Sequence, residues 1–111
     1  MLILTAPFNI LTHYAPYHFS TGFTKYFYEH HLKEYNFEII EIVENGSYFE
    51  YLAQEARRLD SVSMQYTNKK LNFFEKLISL LYLRTLSKLS KSDTGSKDIL
   101  NFGIQILAQK R

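Results

Sequence analysis

Two histidines and three aromatic residues crowd a short stretch near the start of the chain: His13, Tyr14, Tyr17, His18 and Phe19. An unperturbed imidazole titrates near neutrality, so either histidine could take a proton from a nucleophilic acceptor. The rings of Tyr14, Tyr17 and Phe19 could stack on that acceptor. The plainer reading is that these aromatics pin their segment to a neighbouring sheet. The five residues are therefore candidates for substrate binding, and the sequence assigns no catalytic residue.

Other chemistry-bearing residues point to less. His30 and His31 are adjacent, and neighbours on a helix diverge by about 100°. The pair is thus expected not to share a face, and no cysteine or carboxylate completes a familiar metal-ligand spacing, so no metal site is expected. The four glycines, Gly22, Gly46, Gly95 and Gly103, form no G-x-G turn after a strand, and no acidic residue follows at the distance that a nucleotide cradle needs. Arg57-Arg58 and Lys69-Lys70 read as solvated helix faces, because no aromatic platform is interleaved with them; a nucleic-acid partner is not expected.

The bulk properties set limits. With 111 residues, of which 46% are hydrophobic and 22% charged, the chain suits one small globular domain. Nine Tyr and nine Phe make it unusually aromatic, which implies a well-filled core, a binding surface or both. A net charge of +2 is too slight to argue for nucleic acid. The absence of cysteine excludes disulfides, thiol nucleophiles and thiolate metal sites. No signal peptide is apparent, and the longest apolar run, Leu77 to Leu83, falls far below the ~20 residues of a membrane span. A cytoplasmic location and no membrane partner are expected.

The elements that must position these residues can be read from periodicity. Leu2 to Ala6 is a continuous apolar run ended by Pro7, as in a strand buried on both faces. Residues 8–27 form a long aromatic connection. Tyr28, Leu32 and Tyr35 have helical spacing, and Asn36 stands where a left-handed cap would end that helix. Phe37 to Val43 is β-branched and partly alternating, and Asn45-Gly46 ends it. Residues 47–90 predict two helices. The first carries Tyr48, Leu52, Ala56 and Leu59 on one face. The second starts near Lys69 and carries Leu71, Phe74, Ile78 and Leu81 with Phe73, Leu77 and Leu80, a stripe broad enough to need a cover. A polar linker over 91–98 leads to a last strand over 99–108. The first two strands flank a crossover helix and should run parallel in one sheet.

Several segments together resemble a known family: Leu2-Ile3-Leu4-Thr5-Ala6-Pro7-Phe8, Ala15-Pro16-Tyr17-His18-Phe19, Thr21-Gly22-Phe23, Tyr26-Phe27-Tyr28-Glu29, His31-Leu32, Phe37-Glu38-Ile39-Ile40-Glu41-Ile42, and Asn45-Gly46-Ser47 running on to Glu55. They are similar to the C-terminal part of class I methyltransferases that use S-adenosylmethionine, the group often called type 11. In that fold the first four strands of a seven-stranded sheet carry the cofactor. The resemblance implies that Leu2 to Pro7 is the fifth strand, without the Lys-Pro-Gly-Gly turn that usually precedes it. Phe37 to Val43 would be the sixth strand, with Asn36 in place of the usual Gly. The last strand would be the seventh, inserted antiparallel between the fifth and sixth.

The fold class expected is thus α/β: the last three strands of a partial Rossmann-like methyltransferase sheet, filling 1–111, with a helical insertion over about 47–90. By the resemblance, the five candidates lie on the acceptor side, where their rings could also wall off the methyl group. The cofactor-binding half is expected to be missing, so this chain alone should not bind S-adenosylmethionine. Its partners would be an unidentified methyl acceptor and either a complementing N-terminal half or a second copy of the chain. The alternative is a non-catalytic interaction module that associates through an exposed sheet edge and the apolar helix over 69–90.

Overall fold

The structure is a computed structural model that describes residues 1–8 and 22–111. Its elements run β1 (Leu2–Pro7), α1 (Lys25–Glu34), β2 (Phe37–Asn45), α2 (Tyr48–Thr67), α3 (Phe73–Lys91) and β3 (Gly103–Lys110), with a short 3-10 turn at Ser96–Asp98. The chain divides into two units: Met1–Gly46 with Lys97–Arg111, and Ser47–Ser96.

The first unit is a mixed α/β layer. Its three strands lie in the order β1-β3-β2, and β3 is antiparallel to both neighbours. It follows that β1 and β2 run in the same direction, as expected, but with β3 between them. No two hydrogen-bonded strands are parallel, so the described sheet is antiparallel and is not by itself Rossmann-like. Ile104, Ile106 and Ala108 of β3 point to one face, where they meet Tyr28 and Leu32 of α1. Leu2, Leu4 and Ala6 of β1 and Phe37, Ile39 and Ile42 of β2 complete this core. Burying each isoleucine of β3 contributes roughly 1.5–3 kcal/mol.

One expectation about the strands is corrected. β1 is not buried on both faces: it alternates, and Ile3 is 75% exposed. One helix covers one face of this unit, so every second residue of an apolar run is left outside. The partial alternation of β2 has a local cause, a bulge between Ile39 and Glu41 that leaves Ile40 unopposed on β3. The extra residue resets the alternation, so Ile39 and Ile42 both point inward.

α1 begins three residues before the predicted start at Tyr28. Its buried stripe is Tyr28 and Leu32, while Tyr35 is exposed. Asn36 does adopt the left-handed conformation, with φ of 61°. Beyond it β2 begins at once, so Tyr35 and Asn36 turn the chain from helix into strand within two residues.

The second unit is a helical hairpin. Ser47 caps α2 by accepting a hydrogen bond from the Glu50 N–H, and Asn68 ends it in the left-handed region, with φ of 56°. α3 starts at Phe73, four residues later than predicted, because Asn72 and Glu75 form a reciprocal capping box. Leu71 therefore lies in the connection, where its N–H donates to Asp60. The broad apolar stripe of α3 stays open: Phe73 is 80% and Phe74 71% exposed, and Leu77, Ile78, Leu80 and Leu81 are exposed as well. After α3, the Asp93 carboxylate accepts from the Ser96 hydroxyl and from the N–H groups of Gly95 and Ser96. These bonds, led by the Ser96 hydroxyl, hold Asp93 below the usual carboxylate range. Among the described residues, no helix is long and apolar enough to cross a membrane.

The two faces of the sheet give a direct test. Ile106→Ala should lower unfolding stability by about 2–5 kcal/mol, the usual cost of emptying a buried isoleucine site. Ile3→Ala should stay within about 1 kcal/mol of the parent. Urea unfolding of both variants checks the pair.

Candidate functional site

Since β1 and β2 point the same way, their carboxyl ends meet at one edge of the sheet, with the start of β3 between them. Ligands bind at such edges in open α/β sheets. Here Pro7, Asn45, Phe102 and Gly103 border an open cleft of about 280 Å³ whose wall includes Thr5 and Gln105. Close approach of strands shapes it. A side chain at Gly103 would stand 2.8 Å from the Ala6 carbonyl oxygen, and one at Gly46 would strike the Phe102 ring at 2.4 Å. Gly46 also has a φ of 79°, so the turn after β2 requires glycine on both counts. Phe102 and Phe8 extend the ladders at this edge: the Phe102 N–H donates to Asn45 O at 2.8 Å, and the Phe8 N–H to Phe102 O at 3.2 Å.

His13, Tyr14, Tyr17, His18 and Phe19 lie outside the described residues. What the structure fixes is the attachment of their segment. A Cβ on Gly22, whose φ is 135°, would lie 2.0 Å from the Pro7 carbonyl oxygen. The residues before and after 9–21 are thus adjacent, at the carboxyl end of β1. The cleft itself is lined by hydroxyl, amide and apolar groups and by no titratable side chain. Its polar side chains are the Thr5 hydroxyl and the Asn45 and Gln105 amides. A general base at this edge would have to come from outside these lining residues.

A charged cluster that sequence reasoning missed lies in the same unit. Lys25, the first residue of α1, places Nζ 3.2 Å from Glu44 Oε1 and 3.1 Å from Asp98 Oδ1. Glu44 is nearly sealed, with 7% of its side chain exposed, and its Oε2 has no hydrogen-bond partner among the described residues. The hydrogen bonds to Asp98 and then Glu44 hold the Lys25 ammonium well above its ordinary range. No local motif marks this trio, because Lys25 and Asp98 are 73 positions apart. It ties the entry of α1 to the end of β2 and to the segment leading into β3.

The expectation for His30 and His31 needs correction. The rings do not part: they meet edge to face with centroids 5.1 Å apart, and Glu34 lies beside both. Its Oε1 is 3.4 Å from His30 Nε2 and its Oε2 is 2.9 Å from His31 Nδ1. Adjacent residues on a helix can act on one group when a third, one turn on, falls between them.

Compared with known protein families, with characterised proteins and with solved structures, the chain matches none.

The Lys25 cluster sets a pH dependence. A lysine whose pKa is raised on folding contributes stability that is fully present below its unfolded value of 10.5 and is lost as pH rises beyond it. Lys25→Met should therefore be less stable than the parent at neutral pH, and the gap should narrow above that value. Chemical unfolding of both proteins across the alkaline range measures it.

Proposed function

We propose that the chain is the C-terminal portion of a class I, S-adenosylmethionine-dependent methyltransferase domain, contributing scaffold and acceptor side. One observation carries the reading: the final strand lies antiparallel between two strands that run the same way and are joined through a helix. The family that the sequence resembles ends its sheet in this order, fifth, seventh, sixth. The helical hairpin between β2 and β3 stands where the resemblance puts an insertion.

The cofactor does not fit the residues present. No Gly-rich turn follows a strand, and the cleft at the strand ends has no carboxylate for ribose hydroxyls. Cofactor binding is therefore assigned to a complementary part of the enzyme, and acceptor contacts to the segment holding His13, Tyr14, Tyr17, His18 and Phe19. Two features favour a complementary part: β1 has a strand on one side only among the described residues, and Ile3 and Val43 are exposed on the sheet face opposite α1.

A second reading, an interaction module working through α3 and the β1 edge that has no strand neighbour among the described residues, is favoured by the exposure of Phe73, Phe74, Ile78, Leu80 and Leu81.

Ultraviolet labelling with radioactive S-adenosylmethionine tests the proposal. The 111-residue chain alone should take no label, while the species isolated from its own cells should be labelled, on a longer chain or on a companion. Stoichiometric labelling of the chain alone, or none on the native species, would overturn it. Self-association of the purified chain in a sedimentation run, combined with an unlabelled native species, would favour the interaction module.

A further inference from the structure

α1 closes with His30-His31-Leu32-Lys33-Glu34. At about 100° per residue, Glu34 projects about 40° from His30 and about 60° from His31, between the two. The three available ligand atoms, one from each side chain, lie within 4.8 Å of one another. The geometry points to a binding site for a divalent first-row transition ion of the zinc class, held by His30, His31 and Glu34.

Three observations support it. First, the spacing suits coordination. Metal–ligand bonds of about 2.0–2.2 Å place tetrahedral ligand atoms roughly 3.3–3.6 Å apart. Both imidazoles already contact Glu34, His30 Nε2 at 3.4 Å from Oε1 and His31 Nδ1 at 2.9 Å from Oε2, and side-chain rotation has to bring one oxygen to face both nitrogens across a set that spans no more than 4.8 Å. Second, the His31 ring is held from behind. It packs on Phe27 with centroids 4.3 Å apart, and Phe27 stacks on Phe23 at 4.1 Å. Orienting partners of this kind keep a ligand in its productive rotamer. Third, the site occupies the last turn of a helix, where the backbone dipole favours a cation.

The donors also select the ion. Two imidazoles and one carboxylate suit zinc, cobalt, nickel or copper, whereas magnesium and calcium need oxygen donors. Lys33 lies in the same turn, and the Lys110 ammonium donates to the Tyr35 carbonyl just beyond it. Those charges oppose a purely electrostatic ion site, so coordination to imidazole has to supply the binding. All three side chains are accessible, and three protein ligands leave a position for water or for a ligand from another molecule. Without metal the same side chains make i,i+4 and i,i+3 helix contacts with Glu34, worth a few tenths of a kcal/mol.

The test is titration of the untagged chain with cobalt, read by visible absorption, and with zinc, read by calorimetry and thermal unfolding. One ion should bind per chain, and zinc should raise the unfolding midpoint. His30→Gln and Glu34→Gln, at exposed positions, and His31→Gln, at a half-buried one, should each weaken binding by at least the roughly tenfold that loss of even an outer partner produces, and should remove the thermal shift. A His13→Ala/His18→Ala variant should bind as the parent does. No saturable binding would overturn the site, as would binding that survives the three glutamine variants or vanishes in the His13/His18 variant.

Discussion

Both edges of β3 are hydrogen bonded, and the first unit depends on that double pairing. The strand presents Ile104, Ile106 and Ala108 to α1 while its backbone joins β1, from the start of the chain, to β2. Without β3, β1 would have no strand neighbour in this unit and α1 would lose the centre of the surface on which it packs. The same pairing brings Pro7 and Asn45 to opposite sides of Gly103, so the cleft at the strand ends is a consequence of where β3 lies. Glycines at 22, 46 and 103 let the backbone close tightly around that edge.

Signals that act within a few residues were legible in the sequence. Asn36 takes the left-handed cap, Asn45-Gly46 ends β2, and the helical spacing of residues 47–90 yields a hairpin of two helices. These depend on backbone preference and periodicity, which a short window contains. The start of α3 was placed too early because the apolar spacing of Leu71 fits a helix; the capping box of Asn72 and Glu75 decides the boundary instead. The bulge at Ile40 and the outward half of β1 depend on what lies opposite each residue, and an apolar run does not encode that.

The site was legible to a smaller degree. The structure has a cleft at the end of β1 and brings Pro7 and Gly22 together there, while the five candidate residues His13, Tyr14, Tyr17, His18 and Phe19 lie outside the described residues. Sequence reasoning missed the Lys25, Glu44 and Asp98 cluster, whose members come together only once β3 is in place. It also set His30 and His31 aside by considering two residues, when the geometry turns on a third. Pairwise angles on a helix are a poor guide to three-residue clusters.

The order β1-β3-β2 is the claim on which the functional proposal rests, and nuclear magnetic resonance of the 111-residue chain tests it most directly. Cross-strand backbone contacts should link β3 to both neighbours, with Leu4 opposite Ile106 and Ile106 opposite Ile42. Contacts between β2 and β3 alone, or direct pairing of β1 with β2, would contradict the fold and remove the basis for the proposed methyltransferase assignment.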